Sequence, residues 1–386
     1  MAGTARSTIV IVALAVVLST VLVAAPAQAA VGCGDVVTMD LTLESDLVCN
    51  ATDGLIAGED GITIDLNGFT IRNTGGGIVA GVSVVDHPNV TVRNGTVRGF
   101  YENVSFVDSP FGVAADLTIR AGGGSGLQIS RSDDSTVKRV DVRNVPDGGV
   151  IVTGSVRVHV DDVVARRSGW GVFVVDSVGT TIERADVRRN FNGIYAYLSH
   201  GTVVDNSTIR NNTTAGVVSE ASTKTQVKGS IIRANGLGVY YVASSEGGRI
   251  QDNTIARNVI GIQLGTVPGP GAATPADGVL ILDNRIRTND GSGIVIEQDT
   301  VTGLAHRVFG NRVTANGASA AGLVDSTNAL LDDGIHIVSS AVGVELKDNR
   351  ANGNHDYGIE ARDATDLFGN RARDNGNAAQ CFGVSC

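Results

Sequence analysis

The chain has 386 residues, a formal net charge of −10, 50 glycines and only 4% aromatic residues. So much glycine without a strict three-residue period excludes a collagen-like chain and points to many turns joining short strands. The acidic balance argues against nucleic acid as a partner, because phosphate binding depends on concentrated Lys and Arg. It also disfavours a polyanionic substrate unless the local field differs from the average.

Residues 1–29 read as an export signal: Arg6 supplies the positive start, 9–25 are almost wholly apolar, and Ala27-Gln28-Ala29 is a small-x-small cleavage site. No later stretch approaches the roughly 20 apolar residues of a membrane span. A secreted, extracellular protein without a membrane span is therefore expected, with the mature domain over 30–386. Lipid modification of Cys33 is the rival, since Ala30-Val31-Gly32-Cys33 loosely resembles a lipoprotein processing site. Four cysteines in an exported chain invite disulfides. Of the three formal pairings the local one is favoured, Cys33 with Cys49 and Cys381 with Cys386.

From residue 81 onward a Gly-apolar-x-apolar element returns, keyed on Gly81, Gly126, Gly149, Gly171, Gly193, Gly216, Gly238, Gly261, Gly293, Gly334 and Gly358, with a glycine-less member at Val104. Most intervals are 22 to 24 residues; those from Gly261 to Gly293 and from Gly293 to Gly334 are longer. Apolar residues one and three after each glycine, as in Val172/Val174 and Ile335/Ile337, give a strand with one buried face. A second alternating segment follows about fifteen residues later, as in Thr208-Ile209-Arg210. One such coil cannot cover its own apolar face, so coils must stack at about 4.8 Å. The expected fold is all-β, a single-stranded right-handed parallel β-helix (solenoid) of about 12–13 coils. Residues 33–80 form its cap and opening coil, 81–380 its repeats and 381–386 its Cys-closed end.

Two asparagine files support this register: Asn190, Asn212, Asn235, Asn258, Asn289, Asn316, Asn354 and Asn375, and Asn253, Asn284, Asn311, Asn349 and Asn370. Asparagine tolerates left-handed turns, and its amide can bond the backbone or the Asn of the next coil. Both roles are structural. With Cys33-Gly34, the 42–49 segment and Ile62-Thr63-Ile64-Asp65-Leu66-Asn67-Gly68, the chain resembles the right-handed parallel β-helix repeat proteins of the pectin-lyase-like superfold, of the secreted bacterial type. The resemblance implies the fold. It does not imply one activity, since that superfold hosts lyases, hydrolases, epimerases, esterases and non-catalytic proteins. Asp332-Asp333-Gly334 is similar to one short polygalacturonase element, but that family's other signatures are missing, as are those of pectate lyases and mannuronan epimerases. Periplasmic β-helix proteins that assist metal-enzyme maturation are also similar, but no metal-ligand signature accompanies the likeness.

Chemistry is expected on the outward positions of the first strand, which stack into columns. The position two after each glycine gives a column containing Phe106, Phe173, Tyr195, Tyr240, His336 and Glu360; the position four after gives Tyr197, Glu297 and Arg362. Trp170, Phe173, Tyr195, Tyr197 and Tyr240, with Glu297, are expected to bind a polysaccharide by ring stacking and polar contacts. Cross-coil packing is the alternative for the aromatics. His336, Glu360 and Arg362 are the candidate catalytic residues: His336 as base, Glu360 orienting it and Arg362 holding a substrate carboxylate. That is lyase or epimerase chemistry on a uronate-containing glycan. Hydrolysis by Glu297 and Glu360 is disfavoured, because roughly 11 Å between them exceeds the roughly 9.5 Å limit of an inverting pair. The alternative is a non-catalytic extracellular glycan-binding or spacer protein. No cofactor is expected; Ca²⁺ on Asp332, Asp333 or Asp356 is the one metal option, without a supporting motif. Arg98, Arg120, Arg143, Arg188, Arg210, Arg233 and Arg287 form a further file, read as a solvated face interleaved with Asp141, Glu183 and Asp186, with a polyanion as its alternative partner.

Overall fold

The computed structural model describes Gly3, 31–265, 276–297, 304–338, Ala341 and 343–386, all of its regular structure being strand and turn. The expected export signal lies outside the described residues. So do residues 266–275 of the longer interval from Gly261 to Gly293.

Alternation fixes each rung. In Trp170–Val175, Val172 and Val174 are fully buried while Phe173 and Val175 are half-exposed, and the counterparts one coil away repeat the pattern in register. Fifteen strands, from Asp35–Val37 to Cys381–Phe382, stack in parallel into a first sheet. Two further rows of parallel rungs complete each coil. The long strands Thr91–Arg98, Val113–Arg120 and Thr136–Arg143 run through both of these rows. Connections between parallel neighbours are right-handed, as is the rule for such crossovers. The result is a right-handed parallel β-helix of about fourteen turns. Its interior is a stack of Val and Ile, for example Val172, Ile194, Val217, Val239, Ile262, Ile294, Ile335 and Ile359, each at most 1% exposed. Each is worth roughly 1.5–3 kcal/mol relative to exposure.

The keying glycines serve close packing. A Cβ on Gly216 would sit 2.6 Å from the Gly238 carbonyl oxygen and 2.9 Å from the Asn235 amide nitrogen. The missing Cβ thus makes room for the neighbouring coil and for the asparagine file. Asn212 Nδ2 donates to Asn235 Oδ1 (3.0 Å), Asn235 to Asn258 (3.1 Å) and Asn258 to Asn289 (3.1 Å), and the same file continues to Asn375. The second file runs from Asn253 to Asn370. The left-handed residue of the turn is the one before the ladder asparagine, as at Arg189, Ala234 and Arg257 with φ of 57°, 55° and 57°. Of the two reasons expected for asparagine, amide bonding is the one that operates.

Two register details differ from expectation. The glycine-equivalent of the glycine-less coil is Asn103, not Val104: Gln128 pairs with Ser105, so Phe106 points inward and is fully buried. The opening region contributes two rungs of the first sheet, Asp35–Val37 and Leu55–Ala57, rather than one coil. Cys33 is bonded to Cys49 and Cys381 to Cys386, with no free cysteine.

Candidate functional site

The outer face of the first sheet carries one continuous column: Gln128, Ile151, Phe173, Tyr195, Val218, Tyr240, Gln263, Val295, His336, Glu360 and Phe382 are successive register partners. Strand pairing alone brings the expected aromatic and polar patches onto one line.

In the aromatic stretch, Trp170 opens the strand Trp170–Val175. It stacks on Phe173 with ring centroids 4.8 Å apart, and Phe173 meets Tyr195 edge-on at 5.7 Å. The Tyr195 hydroxyl donates to the Glu220 carboxylate. Tyr197 is half-exposed in the next column, beside Glu220 in register. Tyr240 is separated from Tyr195 by the buried Val218, so the aromatics form a cluster of three rings with two outliers. Burial, with the nearby charges of Glu220 and Glu297, pushes the Tyr240 hydroxyl up to about 12. Tyr240 therefore lies between the aromatic cluster and the acidic residues beyond it.

Those acidic residues surround His336. Its Nδ1 lies 2.7 Å from Asp333 Oδ2 and 3.4 Å from Glu360 Oε2, and its Nε2 lies 3.1 Å from Asp325 Oδ2. Asp325 comes from the 318–331 segment, which folds over the sheet. There Leu331 packs with Val295 and Ile260, and Leu323 covers the cluster. Asp325 Oδ1 accepts from the Thr327 and Ala329 backbone amides and the Thr327 hydroxyl, which fixes its side chain. The outward-pointing His336 is consequently 2% exposed. Beside it a cavity of about 280 Å³ is lined by Asp325, Thr327, His336, Val338, Glu360 and Arg362, close to the roughly 300 Å³ at which ligand pockets begin. The three expected catalytic residues thus converge on one cavity. Arg362 reaches it from over the Phe382 ring, 4.5 Å from the centroid.

Charge is distributed differently from the expectation for a free histidine base. Burial alone would depress His336, but its hydrogen bonds to Asp333, Glu360 and Asp325 outweigh that and push it up to about 10. It is an imidazolium donating from both nitrogens. Glu360 is held below the usual carboxylate range by its hydrogen bond to His336, with help from Arg362. Burial also raises Asp325, but His336, Thr327 and the Ala329 amide overcome this and lower it. Asp333 moves the other way, raised to about 7 by burial against the pull of His336. Three carboxyls crowd the one imidazole, and Asp333, the most enclosed of them, is the one whose burial favours its neutral form. Glu297, 2% exposed, is raised by burial and by Asp325; its Oε2 accepts from the Ser326 amide at 3.3 Å while its buried Oε1 has no partner. It braces the covering segment rather than lining the cavity. Asp325 was not legible in the sequence, where the only signal was the 41-residue interval that contains it.

Three groups among the described residues have metal-capable spacing: His159 with Asp161 and Glu183, Asp333 with His336 and Glu360, and Asp332 with Asp333 and Asp356. In the last, Asp332 Oδ2 lies 3.0 Å from His355 Nδ1 and Asp333 Oδ2 lies 2.7 Å from His336 Nδ1, so imidazoles already engage two of the three side chains.

A family model described as "Periplasmic copper-binding protein (NosD)" matches residues 112–267, less than half of the chain. No curated protein matches the sequence. Among solved structures, the A-module of mannuronan C-5 epimerase AlgE6 from Azotobacter vinelandii is 18% identical, with 89% of this chain and 90% of that one covered and a TM-score of 0.54. The tailspike protein of E. coli bacteriophage HK620, solved as a double mutant in complex with a pentasaccharide, is 10% identical over 90% of this chain and 73% of its own, with a TM-score of 0.56. The chain shares the parallel β-helix fold of these structures. At these identities the likeness is one of fold. The copper in the family description does not fit the β-helix residues present. Among the described residues of the matched segment, the one metal-capable group holds a single imidazole, His159, already bonded to Thr181 Oγ1 at 2.7 Å, and both cysteine pairs are disulfides.

Proposed function

We propose that this β-helix acts on a uronate-containing glycan that lies along the first sheet, reacting at the cavity of His336, Glu360 and Arg362. The observation that carries the reading is the charge arrangement there: two cations, His336 and Arg362, share one cavity with the ionised Glu360 and Asp325, on the same sheet column as the aromatic rings of Phe173 and Tyr195. A substrate carboxylate would pair with Arg362 and take over the His336 Nε2–H that Asp325 now accepts. Asp325 thus occupies the position of the substrate's charge, and the covering segment must yield to it. Glu360, rather than His336, is then the proton acceptor. It takes the hydrogen from the carbon next to the sugar carboxylate, and the electron pair moves into that carboxylate, stabilised by His336 and Arg362. Delivery of a proton from water to the opposite face, with Glu360 then releasing its proton to water, gives epimerisation. Departure of the neighbouring glycosidic oxygen, which takes the proton that Glu360 has removed, gives elimination and returns Glu360 to its carboxylate.

A second reading, a non-catalytic glycan-binding protein, is favoured by one observation: His336 is covered while the Trp170, Phe173 and Tyr195 cluster is accessible. An export location fits both readings, supported by the two disulfides and by a family description that places its members in the periplasm. A screen against diverse polysaccharides, recording both unsaturated product and retention of the protein, separates them. Turnover of a uronate polymer supports the first reading; retention with no turnover on any polymer supports the second.

A further inference from the structure

The third row of rungs carries an arginine column longer than its sequence file suggests. Register makes Arg72, Arg98, Arg120, Arg143, Arg166, Arg188, Arg210 and Arg233 successive partners, eight arginines on eight consecutive coils. Adjacent rungs lie about 4.8 Å apart, inside the roughly 8 Å screening length at physiological salt, so neighbouring guanidinium groups repel. In the middle of the column carboxylates relieve this: Arg166 pairs with Asp141 (3.1 Å), and Arg188 and Arg210 pair with Asp186. Arg188 is nevertheless pulled down, by burial first and then by the charges of Arg210 and Arg166. The first four have no such relief: among the described residues no carboxylate pairs with Arg72, Arg98, Arg120 or Arg143, and the Arg143 Nε is buried without a partner. Thr70, Thr96 and Thr118 stack beside them on the same outward face. A cavity of about 320 Å³ opens between Arg72 and Arg98, bordered by Thr74 and Gly99. Asp46, which accepts from the Thr70 amide, and Asp141, next in the threonine column, frame the patch at its two ends.

We propose that the Arg72, Arg98, Arg120 and Arg143 ladder is a second binding site, for a linear acidic glycan carrying a carboxylate on successive sugars. Guanidinium forks suit carboxylates bidentately, and the threonine file offers hydroxyls to the sugar's own. Neither column holds an aromatic side chain for stacking bases, and the chain as a whole is acidic, which argues against nucleic acid. The site lies on a different row of strands from the His336 cavity. It takes its sugar class from the reading above but does not depend on catalysis there.

The test uses the full chain carrying Arg362→Gln, so that the cavity does not contribute, and measures retention by polygalacturonate in affinity electrophoresis. Fully methyl-esterified polygalacturonate and a single-stranded oligothymidylate serve as comparison probes. The expected result is retention by polygalacturonate that weakens with salt, is absent for the ester, and falls at least about ten-fold on adding Arg98→Gln and Arg120→Gln. Arg98→Lys with Arg120→Lys should retain part of it, because charge survives without the fork. These are surface positions, and unchanged thermal melting will show that the variants are folded. Unchanged retention after both Gln substitutions, no retention of the starting protein, or equal retention by oligothymidylate would each overturn the proposal. Loss of turnover in Glu360→Gln with this retention intact would show that the two sites are separate.

Discussion

Replacing His336 by Ala removes the cation on which the covering segment closes. Asp325 loses a charge-assisted hydrogen bond of 3.1 Å, a contact of a kind worth roughly 1.5–3 kcal/mol. Leu323 and Leu331 still pack on Val295 and Ile260, so the segment stays docked but opens more often. At 1.36 kcal/mol per factor of ten, the Thr327 and Ala329 amides, which donate to Asp325, should exchange roughly 10–100-fold faster at pH 6 after correction for intrinsic rates. Amides in the Asn190 to Asn258 file should not change. Native-state hydrogen exchange resolves these sites. Equal protection of Thr327 and Ala329 in both proteins would refute the assignment of Asp325 and His336 as the closing pair.

Stability of this segment should also depend on pH. His336 is raised from its ordinary value to about 10, so its contribution is fully present below about pH 6.5 and is lost as pH rises toward 10. Asp333, raised from 3.8 to about 7, acts in the same direction over a lower window, its contribution being lost between about pH 4 and 7; wild-type protection should therefore fall across pH 6.5–10 through His336, while His336→Ala shows a much flatter exchange profile there. Asn258→Ala leaves the Asn235 backbone and side-chain amides without their acceptor; at roughly 1–3 kcal/mol for each orphaned group, about 2–6 kcal/mol of stability should be lost in urea unfolding. Trp170→Ala removes a stacked ring from the aromatic cluster and should weaken glycan retention on the first sheet by about 2–10-fold, from roughly 0.5–1.5 kcal/mol per aromatic pair.

The fold was legible because its determinants recur at a fixed period. Each keying glycine sits where a neighbouring carbonyl leaves no room for a Cβ, and each ladder asparagine bonds the next, so both appear as columns in the sequence. Where the key is disguised the register slipped. Asn103 replaces glycine in the coil of Phe106, and Gly54 precedes Leu55 and the weakly apolar Ala57, which hid a rung. The buried serine file of Ser132, Ser155, Ser177, Ser199 and Ser222, each hydroxyl accepting from the preceding coil's amide, escaped notice because serine is common in turns. At the candidate site, strand positions gave His336, Glu360 and Arg362 their place. Asp325 has no period, since its segment belongs to no coil, and only its packing through Leu323 and Leu331 brings it to His336. With it came the protonation state: the count of carboxylates around His336 decides that it is a cation, and that count depends on tertiary structure.

Glu360 is the proposed proton acceptor, beside the cations His336 and Arg362. The most direct test of that role is incubation with a uronate polymer in D₂O, following by NMR the hydrogen on the carbon next to the carboxylate. The account predicts deuterium incorporation or elimination by the wild-type protein, reduced by about 10²–10⁴-fold in Glu360→Gln with binding retained. A wild-type rate in Glu360→Gln, or no exchange by the wild-type protein on any uronate polymer that it binds, would contradict it.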